Sequence, residues 1–314
     1  MPHSHHSHSG QFCKHAKGIL EDVVVEAIRQ KFEVYGLTEH VPRYRAEDLY
    51  PEEAGVTLDE LASQFERFLD EAHRLKAKYA SQITLLVGLE TEYITGSDLD
   101  NLERLLTHVG SRVEYVVGSV HHVNAIPIDF DVDTFHKALD TLDAGFGAQH
   151  QQQVFLSRYF DAQYELLRRF RPEIVGHFDL CRLYNPGLMF ADYPAAWVKA
   201  ERNIKFAIEY GALFEVNAAA FRKGWDSAFP GRGDRYLIFI QLILKHGGRF
   251  ALSDDSHGPH AVGFNYHRLP EYLKEVGVLE LWYLQRSEVV NTAGRKVQPV
   301  QLQNTWQVHD FWFR

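Results

Sequence analysis

Eighteen histidines stand among 314 residues, and where they fall matters more than their number. Six separated segments bring imidazoles or carboxylates to the end of a short apolar run. They are His6-Ser7-His8 with His15, Thr38-Glu39-His40, Glu90-Thr91-Glu92, His121-His122, His177-Phe178-Asp179 and Asp255-Ser256-His257. In an extended backbone side chains alternate with period two, so His6 and His8 point to one side and can chelate a single ion. Asp255 and His257 repeat the arrangement near the other end of the chain. Imidazole with carboxylate suits Zn, Mn or Fe, and the chain has no thiolate cluster for a structural zinc knot. Nine candidates (His6, His8, His15, His40, Glu90, His121, His177, Asp255 and His257) exceed the four to six positions of one ion. Two or three divalent transition-metal ions are therefore implied, with Glu90 as the carboxylate placed to bridge two of them. Clustered ions supply a hydroxide at neutral pH and clamp the oxygens of a phosphoryl group, which is phosphoester chemistry.

These segments need elements to carry them. Apolar, β-branched runs at 34–37, 83–89, 115–120, 174–175, 213–216, 250–252 and 279–284 read as strands. Amphipathic segments at 19–32, 58–79, 99–109, 135–142, 154–170, 195–210, 235–245 and 269–276 read as helices. In 58–79, Leu58, Leu61, Phe65, Phe68, Leu69, Ala72 and Leu75 form one stripe at helical spacing. Strand–helix alternation along the whole length predicts a parallel sheet with crossover helices, and seven or eight units favour closing it into a barrel. The polar residues then all lie at strand C-terminal ends, the face where barrel sites are assembled. No domain boundary shows. Residues 1–285 read as one barrel with an ordered insertion at 44–56, and 286–314 as an irregular C-terminal extension packed on it.

Composition narrows the function classes. With 45% hydrophobic and 24% charged residues the chain is ordinary for a globular protein. A net charge of −9 argues against a broad nucleic-acid or anionic-membrane surface, while leaving room for a small cationic phosphate pocket. Cys13 and Cys181 cannot make a disulfide framework and read as small buried residues, so a reducing, cytoplasmic setting is the expectation. No apolar stretch in the first thirty residues is long enough for a signal peptide, and no run approaches a membrane span. His73, His108, His136, His150, His246 and His309 fall in helices, loops or the tail and read as solvated. Nothing in the sequence sets a subunit number.

Taken in order, these strings resemble the polymerase-and-histidinol-phosphatase (PHP) family of metal-dependent phosphoesterases. The family's His-x-His opening followed by Phe-Cys-x-His-Ala is matched by His6-Ser7-His8 and Phe12-Cys13-Lys14-His15-Ala16. Thr38-Glu39-His40-Val41-Pro42, Gly88-Leu89-Glu90-Thr91-Glu92-Tyr93, Gly118-Ser119-Val120-His121, Gly176-His177-Phe178-Asp179-Leu180 and Ser253-Asp254-Asp255-Ser256-His257 follow in family order. One extra residue separates His8 from His15, and Ala218-Ala219-Ala220 replaces a more polar turn. The resemblance implies a distorted (β/α)7 barrel of the TIM type with a trinuclear site. His6, His8, Glu90 and Asp255 would hold the first ion, and Glu90 would bridge to a second held by His121 and His177. His15, His40 and His257 would hold the third. The implied activity is hydrolysis of L-histidinol phosphate, a small phosphorylated substrate of histidine biosynthesis, with Glu90, Asp255 and His257 at the reacting centre. Arg222 and Arg182 would contact the phosphate, and Glu92, His122 and Asp254 the rest of the substrate. Rival readings are a phosphoesterase or nucleotidase of the same family, a polymerase-associated exonuclease, an amidohydrolase and a non-catalytic metal store. The Asp255/His257 pair and the Glu90 string point away from the amidohydrolase.

Overall fold

Parallel strands carry the site. The computed structural model describes residues 2–142, 145, 147–185, 187–221, 238–302 and 306–312. Seven strands pair in the order β1 (His3–Ser4), β3 (Val34–Leu37), β4 (Thr84–Glu90), β5 (Tyr115–Gly118), β8 (Ile174–Val175), β9 (Leu213–Asn217) and β10 (Arg249–Ser253), all parallel. Around them lie α1 (Leu20–Arg29), α2 (Leu58–Lys78), α3 (Gly96–Val109), α4 (Val132–Asp140), α5 (Ala148–Phe170), α6 (Pro194–Tyr210), α7 (Ile238–Lys245) and α8 (Leu269–Glu275). α2 shows why the pattern holds: Thr57 and Glu60 form a capping box at its start, and Leu61, Phe65, Phe68, Leu69, Ala72 and Leu75 bury its inner stripe.

The barrel is nearly closed, and side chains bridge its seam. The Leu252 amide donates to His3 Nε2 at 2.9 Å, and the Asp254 amide to Ser4 Oγ at 3.1 Å, tying β10 to β1. Just above, β2 (Ser7–His8) pairs in parallel with β11 (Ser256–His257), setting His257 beside His8. The interior is shaped for Tyr115, which packs against Gly36 and Gly88. A Cβ on Gly36 would lie 2.0 Å from the Tyr115 hydroxyl, so no larger residue fits there. That hydroxyl donates to the His5 carbonyl at 2.8 Å, fixing the backbone just before His6.

The expected runs at 34–37 and 174–175 coincide with strands, and those at 83–89, 213–216 and 250–252 shift by a residue or so. The run at 279–284 does not join the barrel. Its residues enter β12 (Trp282–Arg286), which pairs antiparallel with β13 (Val297–Gln301), so the segment after Gln285 is partly a hairpin strand. The Leu284 amide donates to His5 Nε2 at 3.0 Å, seating this hairpin against the N-terminal segment. Farther along, Trp312 stacks on Tyr266 at 6.2 Å between ring centroids. A further hairpin, β6 (His122–Val123) with β7 (Ile126–Pro127), follows β5. No described helix is long and apolar enough to cross a membrane.

Candidate metal centre

Register brings the sequence-distant groups together. His40 bridges Glu90 in parallel, with the Glu90 amide donating to the Glu39 carbonyl and the Val41 amide to the Glu90 carbonyl. Glu90 ends β4 with only 1% exposure, at the meeting point of five imidazoles. Its Oε1 lies 3.1 Å from His6 Nε2, 3.2 Å from His121 Nε2 and 3.0 Å from His177 Nε2. Its Oε2 lies 3.4 Å from His8 Nε2 and 3.0 Å from His40 Nδ1. Asp255 Oδ1 stands 3.8 Å from both His6 Nε2 and His8 Nε2. His15, His40 and His257 make another group whose ligand atoms lie within 4.8 Å of one another. The loop that carries His15 folds back through a Gly10 amide to Lys17 carbonyl bond.

The ring nitrogens are committed in one direction. His6 Nδ1 donates to Glu215 Oε1 at 2.9 Å, His8 Nδ1 to Glu39 Oε2 at 3.2 Å, and His257 Nδ1 to the Asp255 carbonyl at 3.0 Å. These oxygens can only accept, so each ring in its neutral form keeps its proton on Nδ1 and presents a bare Nε2. The buried Nε2 atoms of His6 and His8, both ring nitrogens of His40 and both oxygens of Glu92 make no hydrogen bond. Lone pairs facing carboxylate oxygens at such distances call for a proton or a metal ion between them, and the donor set is one that suits divalent transition metals.

Protonation behaviour without ions points the same way. Burial disfavours the charged form of His6, yet Glu90, Asp255 and Glu215 outweigh it and hold the ring well above its ordinary value. Burial likewise opposes a charge on His8, but its bond to Glu39 and the nearby Glu90 carboxylate raise it to about 9. For His40 burial wins, pushing it down to about 3 against the pull of Glu90. His257 is also lowered, chiefly by burial and then by His8. Protons thus partly neutralise a knot of carboxylates that divalent ions would neutralise more fully.

Asp255 has φ of 45°, a left-handed backbone unusual for a non-glycine residue and a mark of a functionally constrained position. Its Oδ2 accepts from Asn217 Nδ2 at 3.2 Å. Glu92 lies deeper in the cluster than a substrate contact at the rim would. It is 3.2 Å from His40 Nδ1, 3.1 Å from His121 Nδ1 and 3.4 Å from His122 Nδ1, with Arg43 at 3.7 Å. His122 itself is buried. Arg182 is buried and donates to Asp179 at 3.1 Å, lining an apolar cavity of about 130 Å³ that opens beside His177 and Asp255. Arg222 lies outside the described residues. Asp254 is turned into the barrel, where Ser4, Tyr35 and the Gly263 amide all donate to it, so it does not reach the mouth. Cys13 is buried as expected but lies 3.2 Å from His15 Nε2, close enough to influence that ring. His73 and His246 are not simply solvated: His73 donates to the Arg112 carbonyl and His246 pairs with Glu201.

Sequence reasoning missed Glu39 and Glu215 as the carboxylates that orient His8 and His6. Glu39 stood in a quoted string and Glu215 within the 213–216 run, but only the folded chain shows which imidazole each one meets. His3 and His5, the competing His-x-His, are fully buried at the seam and accept backbone amides.

A PHP domain model matches residues 4–219. The chain belongs to the PHP family. Among PHP relatives, a Schizosaccharomyces pombe protein named "Probable histidinol-phosphatase" is 44% identical over 98% of this chain and 96% of its own length. The Saccharomyces cerevisiae protein named "Histidinol-phosphatase" is 33% identical, covering 91% and 92%. The crystal structure of histidinol phosphate phosphatase from Lactococcus lactis, complexed with Zn, L-histidinol and phosphate, superposes with a TM-score of 0.62. It is 17% identical and covers 90% of this chain and 95% of that one, so it speaks to the shared PHP barrel.

Proposed function

We propose that this chain is a histidinol-phosphatase, a phosphoric monoester hydrolase that converts L-histidinol phosphate to L-histidinol and phosphate. The observation that carries the reading is Glu90, a buried carboxylate whose two oxygens face five imidazoles from four separate segments. It is supported by kinship to proteins of that name over nearly the whole chain. In this reading three divalent ions are held, the first by His6, His8, Glu90 and Asp255, the second by Glu90, His121 and His177, the third by His15, His40 and His257. Zn, Mn and Fe all suit these ligands. Such ions supply Lewis acidity toward phosphate oxygens and a nucleophile from water at neutral pH.

The protein's own part is preorganisation. Glu215 and Glu39 fix the His6 and His8 rings so that both Nε2 atoms converge without rearrangement. Asn217 steers Asp255 in the same way. Glu92 balances charge beneath His40, His121 and His122. Arg182 and Arg222 are assigned to the phosphate, where a guanidinium can contact two oxygens at once. The expected boundary at 285 falls inside β12, so the catalytic barrel is assigned to the residues before the β12–β13 hairpin, with that hairpin and the tail as the extension on it. The test is phosphate release from L-histidinol phosphate beside a panel of other phosphomonoesters. A kcat/KM at least tenfold higher for histidinol phosphate supports the reading, and equal or better turnover of a sugar phosphate or nucleotide overturns it.

A further inference from the structure

The mouth above the metal centre is a cleft of about 380 Å³. Lys17, His260, His15 and His257 are among its lining residues, and the Lys17 ammonium is suited to an anion. Elsewhere it is lined by Tyr50, Phe130, Glu52 and Asp129. Asp129 is the unusual member. Its backbone is pinned, because the neighbouring Ile128 amide donates to the His121 carbonyl and the Tyr184 hydroxyl donates to the Asp129 carbonyl at 3.2 Å. Its carboxylate makes no hydrogen bond or ion pair among the described residues, although the residue is half-buried. Beside it Tyr50 and Phe130 stack at 6.1 Å with ring planes 22° apart, and Phe130 is 39% exposed.

A fixed, unpartnered carboxylate at the entrance works against a phosphate dianion, since like charges in a cleft with low-dielectric walls repel strongly. The arrangement makes sense only if the other end of the substrate is cationic. Resting on the function proposed above, we infer that Asp129 is a specificity-determining residue that receives the ammonium group of an amino-alcohol phosphate. The Tyr50–Phe130 wall offers its face to the attached ring. Phosphomonoesters without a cation meet the same carboxylate as pure repulsion, so one side chain both favours the correct substrate and rejects neutral-tailed competitors.

The experiment compares L-histidinol phosphate with 4-nitrophenyl phosphate, which carries no cation, in the metal-loaded parent, Asp129→Asn and Asp129→Glu. In Asp129→Asn the ratio of kcat/KM values, histidinol phosphate over 4-nitrophenyl phosphate, is expected to fall roughly ten- to a hundred-fold, the range for losing a charge-assisted hydrogen bond. The fall should lie mainly in KM, and Asp129→Glu should restore part of the ratio. An unchanged ratio overturns the inference, as does a parallel loss of bound metal, which would make Asp129 a ligand. If the parent fails to hydrolyse histidinol phosphate, the proposed function falls by itself. The same ratio measured with phosphoethanolamine then still decides whether Asp129 selects for an ammonium group.

Discussion

At the scale of single residues, Glu90 and the carboxylates behind the histidines have separable jobs. Glu90 faces five imidazoles with both oxygens, whereas Glu92 meets three histidines and an arginine. Glu90→Gln is therefore expected to lose both metal and nearly all turnover, with Glu92→Gln distinctly milder. Equal losses, read by elemental analysis and phosphate release, would misplace the bridging carboxylate. Glu215→Gln leaves every direct ligand in place but weakens the acceptor that orients His6. It should cost about 10- to 100-fold in metal affinity or activity, as for other orienting partners. The His8 value of about 9 gives a sign for pH dependence. Below that pH the ion-free ring is protonated, and a divalent ion must displace the proton, so affinity should weaken as pH falls and metal addition at pH 7 should release protons. A titration at pH 7 with no acidification would contradict the pairing of His8 with Glu39 and Glu90. The candidate ligands were legible in the sequence because strand ends announce themselves. Glu39 and Glu215 were not, because the imidazole each one orients is set by register and barrel closure, and no spacing rule encodes that.

At the scale of elements, the barrel's narrow points are the glycines that admit Tyr115. Gly36→Ala would place a methyl 2.0 Å from the Tyr115 hydroxyl and 2.9 Å from His5 Cα. Overpacking of this kind costs about 1–3 kcal/mol, occasionally more, and should appear as a lowered midpoint in denaturant. Adding Tyr115→Phe removes the clashing oxygen and should recover part of the loss, while a Gly36→Ala protein as stable as the parent would show that the ring has room to move. The alternation of strands and helices was readable from hydrophobic period alone. Two elements were not. β1 is only His3–Ser4, too short and polar to give a period, and its place is fixed by a parallel ladder to β3 and side-chain bonds to β10. Residues 279–284 looked like a barrel strand because buried apolar runs read alike whether they enter a barrel or a hairpin on its outside.

At the scale of the molecule, an acidic chain of net charge −9 binds an anionic substrate by concentrating cations locally. Side chains from both ends of the sequence meet in one mouth because β2 pairs with β11, setting His8 against His257. The described C-terminal residues contribute from beneath, where Leu284 caps His5 and the Tyr266 hydroxyl donates to the His3 carbonyl. Both contacts brace the segment that leads into His6 and His8. The proposed cluster would hold several ions at once, and their count is the direct test. Elemental analysis of the purified, active protein is expected to give two to three equivalents of divalent transition metal per chain, with activity lost on chelation and regained when Zn, Mn or Fe is returned. Full activity with one equivalent or none would contradict the account.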